Sequence, residues 1–162
     1  MSDQERWQTP PEVWTPLNRE FRFDLDAFAD EITARLPNYI SPSQDALGPR
    51  DWPGQRIYMN PPYGHKLDPC MRRGYQKEAA KGKLVVACIP LRLRGPWAHD
   101  AVIGKAKEVR AVRERVSYIR PDGSRGEHTG SCDTQIVIWD GAGPYDTILR
   151  SFFQEFEHHV TT

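Results

Sequence analysis

The sequence predicts an α/β fold in which helices cover both faces of a mixed or mostly parallel sheet. Three observations carry that expectation. Arg56-Ile57-Tyr58-Met59 reads as a compact strand, and Leu67, Met71, Tyr75 and Ala79 follow at helical spacing. Lys83-Leu84-Val85-Val86-Ala87-Cys88-Ile89-Pro90 is then a continuous apolar run of the kind buried in a parallel sheet, so the three segments form a βαβ unit. The chain has 162 residues, which predicts one domain over residues 1–162. Size scaling gives roughly 27,000 Å² of accessible surface unfolded against about 8,200 Å² folded, enough to bury a substantial core.

Taken in order, Thr9 as cap and Pro10 as first helical residue open a short helix within residues 10–20, which Pro16 limits to a turn or two. Phe21-Arg22-Phe23-Asp24-Leu25 alternates with period two and predicts a short strand ending at the pair Asp24 and Asp26. Four prolines and two glycines between Pro37 and Gly54 predict mostly loop. After Met59 the chain must turn, because Pro61 and Pro62 offer no ladder donors. The helix that follows leaves Arg72, Lys77 and Lys81 for solvent or a ligand. Beyond Pro90 a polar loop leads to a short helix from Pro96 to about Ala106 and a strand at Glu108–Val112. Pro121–Gly126 is a polar turn, Thr134–Trp139 a strand, and Gly141-Ala142-Gly143-Pro144 ends it. Ile148, Leu149, Phe152, Phe153 and Phe156 mark one face of a terminal helix.

Composition excludes several classes. Hydrophobic residues are 38% and charged residues 27% of the chain, with 22 basic against 22 acidic side chains, which fits neither a highly charged disordered chain nor a uniformly basic nucleic-acid coat. The polar start Met1-Ser2-Asp3-Gln4-Glu5 and the absence of an 18-residue apolar stretch argue against a signal peptide and a membrane span, so a cytoplasmic location is expected. Cys70, Cys88 and Cys132 lack CxxC spacing and specify neither a disulfide scaffold nor a zinc knuckle. His65, His99, His128 and the pair His158-His159 show no metal-ligand spacing, so no metal is expected. No Ser/His/Asp arrangement stands out for nucleophilic hydrolysis. Charge is uneven along the chain. Residues 56–127 carry 16 basic and 7 acidic side chains, whereas residues 1–55 carry 5 and 10 and residues 128–162 carry 1 and 5. A polyanion would be drawn to the middle segment; solvated helix faces are the competing explanation.

Asn60-Pro61-Pro62-Tyr63 is the sharpest feature. It lies at the C-terminal end of a predicted strand, where open α/β sheets place their ligands. An amide oxygen, a proline carbonyl and an aromatic ring suit a planar ring bearing an exocyclic amine. Two acceptors holding the hydrogens of such an amine would favour a pyramidal nitrogen, the geometry needed to attack an electrophilic methyl group. Tyr63 would hold the base by stacking.

With its companion segments this tetrapeptide resembles the phage-type DNA N-6-adenine methyltransferases, a Dam-like group within the amino-methyltransferases whose hallmark is [DNS]PP[YFW]. The resemblance covers about residues 6–139. Trp7-Gln8-Thr9-Pro10 is similar to the family's W-x-T-P element, Phe23-Asp24-Leu25-Asp26-Ala27-Phe28-Ala29 to its F-x-L-D-x-x-A stretch, and Asp45-Ala46-Leu47 precedes Trp52 in family order. The resemblance implies a compact Rossmann-like methyltransferase fold, S-adenosylmethionine as cofactor and double-stranded DNA as substrate. It further implies Thr9 and Pro10 near the cofactor carboxylate, Asp26 with Ala27 near its amino or ribose end, and Asp45 at its adenine. Asn60 and Tyr63 would then straddle the transferred methyl and the target base. Asn60 would touch the cofactor, and Pro61 and Pro62 would complete the catalytic turn.

The chain has no glycine-rich phosphate loop, which excludes ATP and dinucleotide use by those motifs and suits a cofactor without phosphate. The common methyltransferase glycine run is absent from Asp24-Leu25-Asp26-Ala27-Phe28-Ala29, leaving the bulky Phe28 in its neighbourhood. Lys66, Arg92 and Arg94 are the phosphate-contact candidates. No target-recognition insert is evident, so DNA contacts would come from short loops, with a second subunit of a homodimer as a source of more. The expected function is DNA adenine-N6 methylation by a phage or prophage enzyme acting in the host cytoplasm, with restriction evasion as the implied role. Two alternatives are a weak or inactive methyltransferase-like protein that binds DNA or a host protein, and a protein-glutamine or RNA amino-methyltransferase.

Overall fold

The computed structural model describes residues 7–126 and 133–156. Six strands form one mixed sheet: β1 (Leu25–Asp26), β2 (Arg56–Met59), β3 (Leu84–Pro90), β4 (Glu108–Val112), β5 (Thr134–Asp140) and β6 (Ile148–Phe152). Their order across the sheet is β1-β2-β3-β5-β4-β6. β1, β2 and β3 are mutually parallel, β5 runs antiparallel to both its neighbours, and β6 is parallel to β4.

Side chains of β3 alternate between two cores. Val85, Ala87 and Ile89 join the cluster containing Leu67 and Met71 of α2 (Leu67–Arg72) and Ala98, Ala101 and Val102. Val86 and Cys88 join Val13, Trp14 and Leu17 of α1 (Pro11–Phe21) on the opposite face. Helices therefore cover both faces, as the periodicity predicts.

α1 runs for 11 residues and passes through Pro16. The expectation that Pro16 would limit the helix to a turn or two is thus corrected. Proline lacks the N–H that would bond the carbonyl four residues back, and the orphaned Glu12 carbonyl instead accepts the amide of Glu155 at 2.9 Å. The cap is corrected as well: Pro10 occupies the N-cap position, with no side-chain cap. The helix ends at Arg22, in the left-handed region at φ 51°, and Asn18 Oδ1 accepts the Phe23 amide at 3.0 Å. The predicted strand 21–25 shrinks to Leu25–Asp26, because Phe21 is helical and Asp24 is engaged as a cap, its Oδ1 accepting the amides of Gln55 and Arg56.

The helix after the motif turn starts as predicted, then widens to a π-helical stretch at Arg73–Glu78 and tightens at Ala79–Lys81. Gly74 permits this close approach to the sheet, since a Cβ there would meet Met59 Sδ at 3.0 Å. The second predicted helix is short, with a π-helical stretch over Ala98–Val102. The predicted terminal helix is instead β6. Only Phe152 of that strand is buried, and Leu149 is 72% exposed. A short apolar run is compatible with either period, and pairing with the free edge of β4 decides it.

The charge asymmetry is absorbed in part within the fold. Arg110 pairs with Glu20, Arg125 with Glu12, Lys81 with Asp51 and Lys107 with Asp140, each a middle-segment cation on a flanking carboxylate. Arg72 and Lys81, expected to be available, are therefore engaged, Arg72 by Asp68 and Asp100. Buried Glu78 binds Arg73 at 2.7 Å and Lys83 at 2.8 Å, and these cations also hold the carbonyls of Gly48, Arg50 and Trp52. The loop carrying Asp45 is tied down through this cluster. Among the described residues, no helix is long and apolar enough to cross a membrane.

Candidate active site

The C-terminal ends of the parallel strands β1, β2 and β3 define the site. Asp26 is the last residue of β1 and pairs in register with Tyr58 of β2, which places both side chains on the α1 side of the sheet. Two residues after Tyr58 the chain leaves the sheet through Asn60-Pro61-Pro62-Tyr63, with Pro61 buried and Tyr63 38% exposed. Gly64, at φ +76°, makes the turn into α2 that a side chain would strain.

The segment Trp7-Gln8-Thr9-Pro10 crosses this edge, held by paired backbone bonds between Gln8 and Ile119 at 2.8 and 2.9 Å. Asn60 Nδ2 donates to the Trp7 carbonyl at 2.9 Å. That bond fixes which way the amide points and leaves Oδ1 as its acceptor end. The Tyr63 hydroxyl lies 3.4 Å from this oxygen. Thr9, buried, shares a 2.5 Å hydrogen bond between its hydroxyl and that of Tyr58. Tyr63 also meets the Tyr118 hydroxyl at 3.0 Å, their rings edge to face, and Tyr118 reaches Cys88 Sγ at 3.3 Å. A chain of hydroxyl and thiol groups thus underlies the turn.

Burial keeps these groups neutral. It pushes the Cys88 thiol up to about 11 and both Tyr58 and Tyr118 well above the usual phenol value. Cys88 is accordingly no nucleophile. Asp26 is 3% exposed, and desolvation raises its carboxyl to about 6 against the opposing effect of the Arg35 and Phe28 amides. Its Oδ2 accepts the Arg35 amide at 3.0 Å, whereas buried Oδ1 has no hydrogen-bond partner. An orphaned buried acceptor suits a ligand donor such as an ammonium or a hydroxyl.

Of the residues singled out by sequence, Thr9, Pro10, Asp26, Ala27, Asn60, Pro61, Pro62 and Tyr63 lie on adjoining strand ends and the segment that crosses them. Asp45 is exposed, at φ 52°, with Oδ1 accepting the Leu47 amide; among the described residues it bonds none of the others. Phe28 turns away from Asp26 and packs edge-on against Trp52 at 5.6 Å in the other core. Lys66, Arg92 and Arg94 are exposed on the loops that follow β2 and β3, at the same edge as Asn60. His65 and His99 are exposed, and among the described residues no acidic, cysteine and histidine group could hold a metal. Cys132, His128, His158 and His159 lie outside the described residues.

Sequence reasoning missed four contributors. Tyr58 was legible only as packing; its parity with Asp26 and its place two residues before Asn60 were the available signal. Cys88 carried a weaker signal, its place near the end of the neighbouring strand, and Tyr118 and Arg35 carried none, since they lie in loops outside every motif.

A family model described as DNA N-6-adenine-methyltransferase (Dam) matches residues 1–156. A DNA N-6-adenine-methyltransferase of Haemophilus phage HP1 (strain HP1c1) is 28% identical to this chain over 154 residues, covering 93% of this chain and 87% of the phage protein.

Proposed function

The chain belongs to the DNA N-6-adenine-methyltransferase (Dam) family, and from that premise we propose that it is a Rossmann-like enzyme that methylates the N6 amine of adenine in double-stranded DNA. The methyl donor is S-adenosylmethionine, which supplies an electrophilic methyl on a sulfonium. The residues present fit that group. Asp26 Oδ1 offers a buried acceptor without a partner, the chemistry an ammonium or a ribose diol needs, and no phosphate cradle is required.

One observation carries the reading. The Asn60 amide is locked by its bond to the Trp7 carbonyl, so that its oxygen stands at the strand-end turn, 3.4 Å from the Tyr63 hydroxyl. A fixed acceptor needs no reorganisation when the adenine amine presents its hydrogens. Asn60 Oδ1 and the Pro61 carbonyl orient the amine, and Tyr63 stacks on the base, which must leave the duplex to reach this recess. No strong base is needed before attack, since the amine becomes acidic only as its new bond forms. Lys66, Arg92 and Arg94 meet phosphates on either side of the turn.

Nucleoside mass spectrometry of DNA co-expressed with the protein tests this. N6-methyladenine is expected with the wild type and not with Asn60→Ala. Methyl label in RNA or protein with none in DNA would reject the substrate, and cofactor binding with no label in any polymer would leave a binding protein.

A further inference from the structure

Arg35 belongs to none of the sequence motifs, yet it reaches into the site. Its Nε donates to the Thr9 carbonyl at 2.9 Å and its Nη2 donates to the same oxygen. Its backbone amide holds Asp26 Oδ2. Burial opposes the charged form of the guanidinium, and the nearby carboxylates of Asp26 and Glu12 favour it. No carboxylate among the described residues pairs with it. Glu12, which could, is engaged by both terminal nitrogens of Arg125. A partly desolvated cation without a counter-ion is unfavourable until an anion arrives.

Asp26 has the complementary need, because its Oδ1 is buried and accepts from nothing. Thr9 cannot serve freely in its place, since its hydroxyl is taken by Tyr58 at 2.5 Å. Its carbonyl acts as the peg that aims the guanidinium. An unpaired acceptor and a cation lacking an anion, joined through one backbone bond, match an α-amino acid zwitterion.

We propose, resting on the cofactor reading above, that Arg35 and Asp26 form the receptor for the amino-acid end of the methyl donor, Arg35 taking its carboxylate and Asp26 Oδ1 its ammonium. The demethylated product carries the same end and is held by the same pair, so product competes with donor for this receptor.

Titration calorimetry with three ligands tests the assignment: S-adenosylmethionine, its decarboxylated form, and 5′-methylthioadenosine, which lacks the amino-acid end. The wild type binds the intact cofactor about 10–100-fold more tightly than the decarboxylated form, the range for losing a charge-assisted hydrogen bond. Arg35→Gln loses that preference while binding 5′-methylthioadenosine within about threefold of the wild type, and Arg35→Lys regains part of it. Equal weakening of all three ligands would assign Arg35 to support of the Thr9 segment and overturn the proposal. An unchanged preference in Arg35→Gln would do the same. Should that variant not fold, equal wild-type affinity for the intact and decarboxylated cofactors overturns the proposal by itself. A wild type that binds none of the three defeats the cofactor reading along with it, whereas binding without carboxylate preference defeats only the present assignment.

Discussion

Asp26→Asn is expected to make the free protein more stable at neutral pH while weakening cofactor binding. The carboxyl titrates near 6 in the folded chain and at 3.8 in its ordinary setting. Between those values the native state retains a proton that the unfolded chain has released, so stability falls as pH rises through the window and levels off above it. A shift from 3.8 to about 6 corresponds to roughly 3 kcal/mol of unfavourable burial of the charge at pH 7 or above. Asparagine removes that burden and still accepts the Arg35 amide. The assay is urea denaturation of wild type and variant from pH 4 to 8, with the difference between the two curves isolating this one group. The variant's advantage should grow from near its smallest value at pH 4 by about 2–3 kcal/mol and reach a plateau above about pH 6.5. A difference that is flat across the range, or that shrinks as pH rises, would refute the claim that Asp26 is buried as an uncompensated carboxylate.

The same group predicts that cofactor affinity weakens below about pH 6, by up to tenfold per unit, because the ammonium needs the ionised carboxylate; calorimetry across pH measures this. Asn60→Ala should lower methyl transfer by about 10²–10³-fold while leaving cofactor affinity within a few-fold, read by single-turnover labelling beside calorimetry. Tyr63→Ala should weaken the productive DNA complex by about 1–3 kcal/mol, and Tyr63→Phe by less, since the ring face is retained. Glu78→Gln strips the counter-ion from buried Arg73 and Lys83 and should lower stability by about 3–5 kcal/mol in denaturant titration.

The sequence alone determined the central βαβ unit, the strand at 134–139 and the turn at Asn60-Pro61-Pro62-Tyr63, because their signals are local. An apolar run of strand length, a four-residue apolar period and two adjacent prolines act on the backbone wherever they occur. The motif segments that resemble one family are equally local, and the family model matches the chain that carries them. What only the tertiary structure decided depends on partners far away in sequence. Pro16 sits within a full helix because Glu155 accepts the role of the missing donor, and the apolar tail is a strand because β4 presents an unpaired edge. The basic middle segment spends part of its charge on carboxylates brought up from both flanks. Arg35 and Tyr118 enter the site from loops with no pattern of their own, and Asp26 acquires its raised pKa only when surrounding protein removes water from it. Burial and orientation are properties of the assembled neighbourhood, so no reading of consecutive residues contains them.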